Sequence, residues 1–277
     1  MKVYLSFDFE GVAGIVDWAQ CREGGAGYEL GCRLMLGEVN AAIEGAVAGG
    51  ADEIVVNDSH STMRNLDPDA LAHEATYVSG RHKQLYMMQR LDVSFDVIFL
   101  VGYHGSISGE TSTLSHTYNP EVFSAARVNG IEVGESGINA LVADHFNVPI
   151  GLVTGDDVTQ AQTAPFASRA VQVVTKHSDS RFSATNLHPA QSRRLIHDGA
   201  REAVERAAAG ALEVPRLQRP VQLELDVQTA DMAEVGSWVK GAERAGTRTI
   251  RIESDDSLAA FQSFVAVNYI TRQAGGR

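Results

Sequence analysis

Short apolar runs recur along the chain, and each ends in polar or charged residues. Val3 to Phe7 ends at Asp8. Ile54-Val55-Val56 ends at Asn57-Asp58-Ser59-His60. Val97-Ile98-Phe99-Leu100-Val101 ends at Gly102-Tyr103-His104, and Ile150-Gly151-Leu152-Val153 ends at Thr154-Gly155-Asp156-Asp157. Continuous runs of this length suit strands buried on both faces of a parallel sheet. Between them the period changes. Tyr28, Cys32, Met35, Val39, Ile43 and Ala46 form one stripe of an amphipathic helix, which Gly49-Gly50 ends. A second helix is predicted from about Gly134 to Phe146. Strand, helix and strand at this spacing make a βαβ unit. Asn129-Gly130 between Val128 and Ile131 predicts a tight hairpin.

The pattern shifts in the second half. A helix is predicted from about Ala190 to Ala208, and Pro215 and Pro220 bracket a connector. Val221, Leu223, Leu225 and Val227 alternate with polar residues, as in a sheet with one exposed face. Thr249 to Ile252 predicts another such strand, and a last helix follows Ser257. The expected fold is therefore α/β. A mainly parallel sheet flanked by helices occupies a larger N-terminal domain, residues 1–180, and a smaller α/β lobe follows over 181–277.

Composition narrows the function. The chain has 277 residues, enough for a core without disulfide or metal staples. Its formal net charge of −12 disfavours nucleic acid, which needs a basic face, and anionic membrane surfaces. No apolar run has the length of a membrane span. Acidic residues arrive by Asp8, too early for a signal peptide, and Cys21 and Cys32 are the only cysteines. Both features lead us to expect a cytoplasmic protein.

In an open parallel sheet, ligands bind beyond the carboxyl ends of the strands. Three predicted strands deliver Asp8 with Glu10, Asp58 with His60, and His104 to that edge. Carboxylates mixed with imidazoles favour a borderline divalent ion such as zinc. Asp8 and Glu10 are two apart, so on a regular strand they point the same way. That spacing lets one carboxylate bridge two ions while the other binds one. Glu135, opening a predicted helix, is a further candidate ligand. Each residue also has a plainer reading. Asp58 and Asp156-Asp157 can cap the helices that follow them, and Glu135 can simply favour a helix N-terminus. Ser115-His116 makes no serine triad, because adjacent residues on an extended chain point apart. His73, His82, His145, His177, His188 and His197 read as structural or exposed. Gly24 to Gly27 reads as a mobile loop rather than a phosphate loop, because no Gly-Lys-Ser/Thr follows. Cys32, on the apolar stripe, reads as core.

Taken together, these segments resemble the D-aminopeptidase family of zinc-dependent, self-compartmentalising peptidases found in bacterial dipeptide-transport operons. The similarity is carried by Asp8-Phe9-Glu10-Gly11, by Asn57-Asp58-Ser59-His60-Ser61 with Met63 and Asn65, by Gly102-Tyr103-His104 and by Leu114-Ser115-His116. Val133-Gly134-Glu135, Gly137-Ile138-Asn139-Ala140 and Gly155-Asp156-Asp157 continue it. The resemblance implies two zinc ions per chain held by Asp8, Glu10, His60, His104 and Glu135, with Asp8 bridging. It implies a catalytic role for His116, a short peptide as substrate, and a homodecamer of stacked pentamers. The expected activity is hydrolysis of short peptides, with N-terminal D-residues among the substrates that the resemblance implies. The substrate's free amine is expected on the metals or on an acid such as Asp156. The rival readings are a metal-dependent amidase or deacylase and a non-catalytic metal-dependent binding protein.

Overall fold

The computed structural model describes residues 1–275. The elements in chain order are β1 (Lys2–Phe7), α1 (Trp18–Cys21), α2 (Tyr28–Ala48), β2 (Glu53–Asp58), β3 (Thr76–Val78), β4 (Val97–Tyr103), β5 (Phe123–Val128), β6 (Ile131–Glu132) and α3 (Glu135–Phe146). They continue with β7 (Ile150–Asp156), α4 (Asp157–Thr163), β8 (Val171–Ser180), β9 (Ser183–Asn186), α5 (Pro189–Ala208), β10 (Val221–Val227), α6 (Ala230–Gly236), β11 (Ala242–Arg244), β12 (Thr249–Ser254) and α7 (Ser257–Ala274).

The first sheet runs β3-β2-β1-β4-β7-β8-β9. Every pairing in it is parallel except the β8–β9 hairpin. Strand pleating divides its side chains between two cores. Val3, Leu5 and Phe7 of β1 and Val97, Phe99 and Val101 of β4 face a core with Met35, Val39 and Ile43 of α2 and Ile196 and Ala200 of α5. Tyr4, Ile98 and Leu100 face the opposite core, which takes in Ile138 and Leu141 of α3 and Phe261 and Phe264 of α7. The all-apolar runs of the sequence are thus explained by burial on both faces.

The second sheet runs β11-β12-β10-β5-β6 and is antiparallel. Its central strand β10 buries every other residue, as the alternation predicts. Asn129 and Gly130 take φ of 49° and 78°, the left-handed pair a two-residue hairpin needs. The chain crosses between the sheets more than once. β5 and β6 come from the first half yet pair in the second sheet. β9 and α5 lie beyond residue 180 yet belong with the first sheet, α5 packing along α2. α3 therefore starts from the second sheet and enters beside the first, which brings its N-terminal residue to the carboxyl edge of β1 and β4.

The candidate metal centre

β1 ends at Phe7, and Asp8 and Glu10 follow on a tight exit. Gly11 N donates to the Gly102 carbonyl at 2.8 Å. A Cβ on Gly11 would lie 1.9 Å from the Tyr103 carbonyl oxygen, so only glycine lets the two strand ends approach this closely. Lys176 of β8, fully buried, donates to the carbonyls of Glu10, Val12 and Ile15 and pins the same exit. Burial pulls its pKa down to about 8. Nothing in the local sequence flags Lys176; its partners lie more than 160 residues away.

Both carboxylates meet His60, which sits in the loop after β2. His60 Nδ1 is 3.0 Å from Asp8 Oδ1 and 3.1 Å from Glu10 Oε2. The loop is stapled by Asp58, whose carboxylate accepts from the Asn65 backbone and side chain and from Leu66 N, so Asp58 holds a loop rather than capping a helix. His104, just past β4, points Nε2 at Asp8 Oδ2 (3.4 Å) and Glu135 Oε2 (3.7 Å). Glu135 is the first residue of α3, and Tyr118 N donates to its Oε1 at 2.8 Å. His116 completes the group. Its ring stacks on His104 with centroids 4.3 Å apart, and its Nε2 is 3.5 Å from Glu135 Oε1. The structure thus brings together all six residues singled out by the sequence, Asp8, Glu10, His60, His104, His116 and Glu135. Asp8 stands between a Glu10–His60 side and a His104–Glu135 side.

The electrostatics call for a cation. The Cys21 carbonyl accepts from His60 Nε2 at 2.9 Å, so that nitrogen carries the proton, and Nδ1 faces two carboxylates. The Gly105 carbonyl accepts from His104 Nδ1, leaving Nε2 toward Asp8 and Glu135. His104 Nε2 and Glu10 Oε2 are buried with no hydrogen-bond partner. Burial alone would lower the pKa of both rings. The carboxylates override it, Glu10 and Asp8 raising His60 and Glu135 and Asp8 raising His104 well above the ordinary imidazole range. Burial pushes Asp8 up, but His104 and His60 hold it well below the usual carboxylate range. Glu135 is raised, by burial and then by the Asp8 charge. Positive charge is wanted between these groups, and mixed N/O donors suit a borderline divalent ion. Asp8, Glu10 and His104 form one cluster close enough to ligate an ion, and His104, His116 and Glu135 form another. The hydrogen bonds to Cys21 and Gly105 fix ring orientation as the outer partners of metal ligands do.

A cavity of about 150 Å³ opens beside these groups, walled by Trp18, Arg22, Ser61, Tyr86 and Tyr118 among others. Sequence reading placed Ser61 in the motif around His60 but missed the other four. No periodicity marks them, and each reaches the site from a loop or a one-turn helix. Asp156 takes no part in the cavity wall. It is fully buried, and Ser112, Ser178 and Thr159 saturate its oxygens, so it offers nothing to a substrate amine. Cys32 is half-buried rather than core. Three of the remaining histidines pair with acids, His145 with Asp256, His177 with Asp157 and His197 with Asp198, all away from the centre.

Such an α/β protein, with carboxylates and imidazoles gathered at the strand ends, has the frame of a metallohydrolase. A family model for D-aminopeptidase, peptidase family M55, matches residues 1–266. The chain is 32% identical over 270 residues to a D-aminopeptidase of Bacillus subtilis (strain 168), covering 96% of both chains. It also superposes on the zinc-dependent D-aminopeptidase DppA from Bacillus subtilis, described as a self-compartmentalizing protease. The TM-score is 0.90 at 30% identity, with 99% of this chain and 98% of the other covered. The chain belongs to the D-aminopeptidase family.

Proposed function

We propose that this protein is a zinc-dependent aminopeptidase that holds two ions per chain and hydrolyses short peptides, including those with an N-terminal D-residue. The observation that carries the reading is the position of Asp8, whose Oδ1 meets His60 and whose Oδ2 meets His104. Asp8, Glu10 and His60 would hold one ion, and Asp8, His104 and Glu135 the other. Zinc in such a set supplies a nucleophilic water at neutral pH and a Lewis acid for the scissile carbonyl. The chain's own residues supply the rest. The Leu114 carbonyl accepts from His116 Nδ1 at 3.0 Å, so Nε2 presents a lone pair to the cavity. There it accepts a proton and returns it to the leaving amine, which departs poorly as an anion. Trp18 packs edge-on against the ring at 5.4 Å and limits its rotation.

Among the described residues no helix is long and apolar enough to cross a membrane. We assign the protein to the cytoplasm, in keeping with its unpaired Cys21 and Cys32. We also propose a closed homodecamer of stacked pentamers, in keeping with the self-compartmentalizing relative. Metal analysis of protein purified without chelator, combined with turnover of a dipeptide panel, tests the reading. Two transition-metal ions per chain and chelator-sensitive release of the N-terminal residue are expected. One ion or none in an active sample overturns the two-ion centre. Turnover of other amides but no peptide favours an amidase, and no turnover favours a binding protein. A monomer by light scattering at micromolar concentration overturns the assembly.

A further inference from the structure

The cavity wall carries charge of both signs. Asp8, Glu10 and Glu135 line it, and Arg22 is the only lysine or arginine in it among the described residues. The guanidinium lies over the Trp18 ring, 5.1 Å from its centroid, and makes no ion pair with a described carboxylate. Its donors are free while its face is held. Local contacts hold the segment that carries it. Asp17 and Gln20 form a capping box on α1, Arg22 N donates to the Trp18 carbonyl, and Gly25 packs so tightly that a Cβ would lie 2.2 Å from the Ala19 carbonyl oxygen.

We infer that Arg22 is a specificity-determining residue that receives the C-terminal carboxylate of a dipeptide lying in this cavity. The inference rests on the aminopeptidase reading, which places the substrate's free amine at the carboxylates. A zwitterion in the cavity then has carboxylates for its amine and a guanidinium for its carboxylate. Trp18 packs on the His116 ring at 5.4 Å and the guanidinium lies 5.1 Å from the Trp18 ring, so Arg22 and His116 share one stretch of the cavity wall. A planar guanidinium can grip a carboxylate with two parallel N–H donors while its face stays on an aromatic ring, which an ammonium cannot do. A longer peptide carries its carboxylate past Arg22, and a C-terminal amide brings no charge to it.

The test measures binding of a non-cleavable dipeptide isostere to the zinc-loaded protein by calorimetry, as free acid and as C-terminal amide. Hydrolysis of the matching cleavable pair is followed in parallel. Wild type should bind the acid at least about tenfold more tightly than the amide. Arg22→Gln should abolish that preference by weakening the acid, with zinc content and melting temperature at wild-type values, and Arg22→Lys should restore only part of it. Equal affinity for the two forms in wild type, an acid preference that survives Arg22→Gln, or binding of neither form overturns the assignment. Hydrolysis without acid preference removes the Arg22 role and leaves the aminopeptidase reading standing. Acid-selective binding without hydrolysis does the reverse.

Discussion

His116 and Asp156 are both polar residues near strand ends, and their surroundings give them different work. His116 keeps one nitrogen open to the cavity. His116→Ala should leave two metals bound and the melting temperature unchanged while activity falls by at least about 10²-fold, the ordinary worth of general acid–base help. Loss of metal together with activity would instead make His116 a ligand. Asp156 is saturated by hydroxyls and caps α4 through Thr159 N at 2.8 Å. Burial pushes its pKa up, but the Ser112, Thr159 and Ser178 bonds outweigh that and hold it below the usual carboxylate range. The folded form therefore binds its proton less readily than the unfolded chain, whose aspartates titrate near about 3.9. Its stabilisation is full above that pH and is lost as pH falls through the lower folded value. Asp156→Asn should cost about 2 kcal/mol at pH 7. Urea titrations of the two proteins should converge as pH drops below about 4. A gap that stays constant with pH would show that the charge does not matter. Asp8, Glu10, His60 and His104 were legible in sequence because they follow apolar runs, Glu135 because it opens a predicted helix, and His116 through the family resemblance. Lys176, Arg22 and Tyr118 were not, because only long-range contacts bring them to the site.

At the scale of elements, the centre depends on how closely three strand ends converge. Cβ atoms placed on Gly11 and on Gly155 would lie 1.9 and 2.0 Å from the same Tyr103 carbonyl oxygen. The exits of β1 and β7 therefore both press on the end of β4, and Asp8 and His104 meet there. An added methyl has no flexible side chain to displace, only backbone. Gly155→Ala should destabilise by about 3 kcal/mol or more, at the upper end of overpacking costs. Gly24→Ala meets no atom within 4 Å and carries only the left-handed penalty of its φ of 80°, about 1 kcal/mol. Denaturation midpoints compare the two directly, and equal losses would refute the convergence argument. Most strands and long helices were readable from period alone, because burial on one or two faces writes that period into the chain. The β8–β9 hairpin and the exchange of β5, β6 and α5 between layers were not. Pairing partners across the chain leave no local mark. The hairpin matters to the site, since Arg181 at its turn donates to the Ser115 carbonyl and accepts from Leu114 N, bracing the segment that carries His116.

The whole molecule meets at the candidate metal centre. Its side chains come from the exit of β1, the loop after β2, the end of β4, the segment before β5 and the start of α3. α3 packs on α7 of the second layer, so the centre ties both sheets together. Three carboxylates, Asp8, Glu10 and Glu135, are buried there. The unfolded chain scatters these groups and binds an ion weakly, so zinc that binds the fold stabilises it by mass action. An ion at a thousand times its dissociation constant contributes about 4 kcal/mol. For a chain of this size each kcal/mol raises the melting temperature by about 2–4 °C. Zinc-loaded protein should therefore melt on the order of 10 °C above chelator-treated protein. Asp8→Asn should shrink that gap more than Glu10→Gln does, because Asp8 contacts both His60 and His104. Scanning calorimetry of the loaded and stripped forms measures both effects. Coincident melting curves would show that the clustered carboxylates and imidazoles hold no structural ion, and a larger loss of the gap in Glu10→Gln would remove Asp8 from the bridging position.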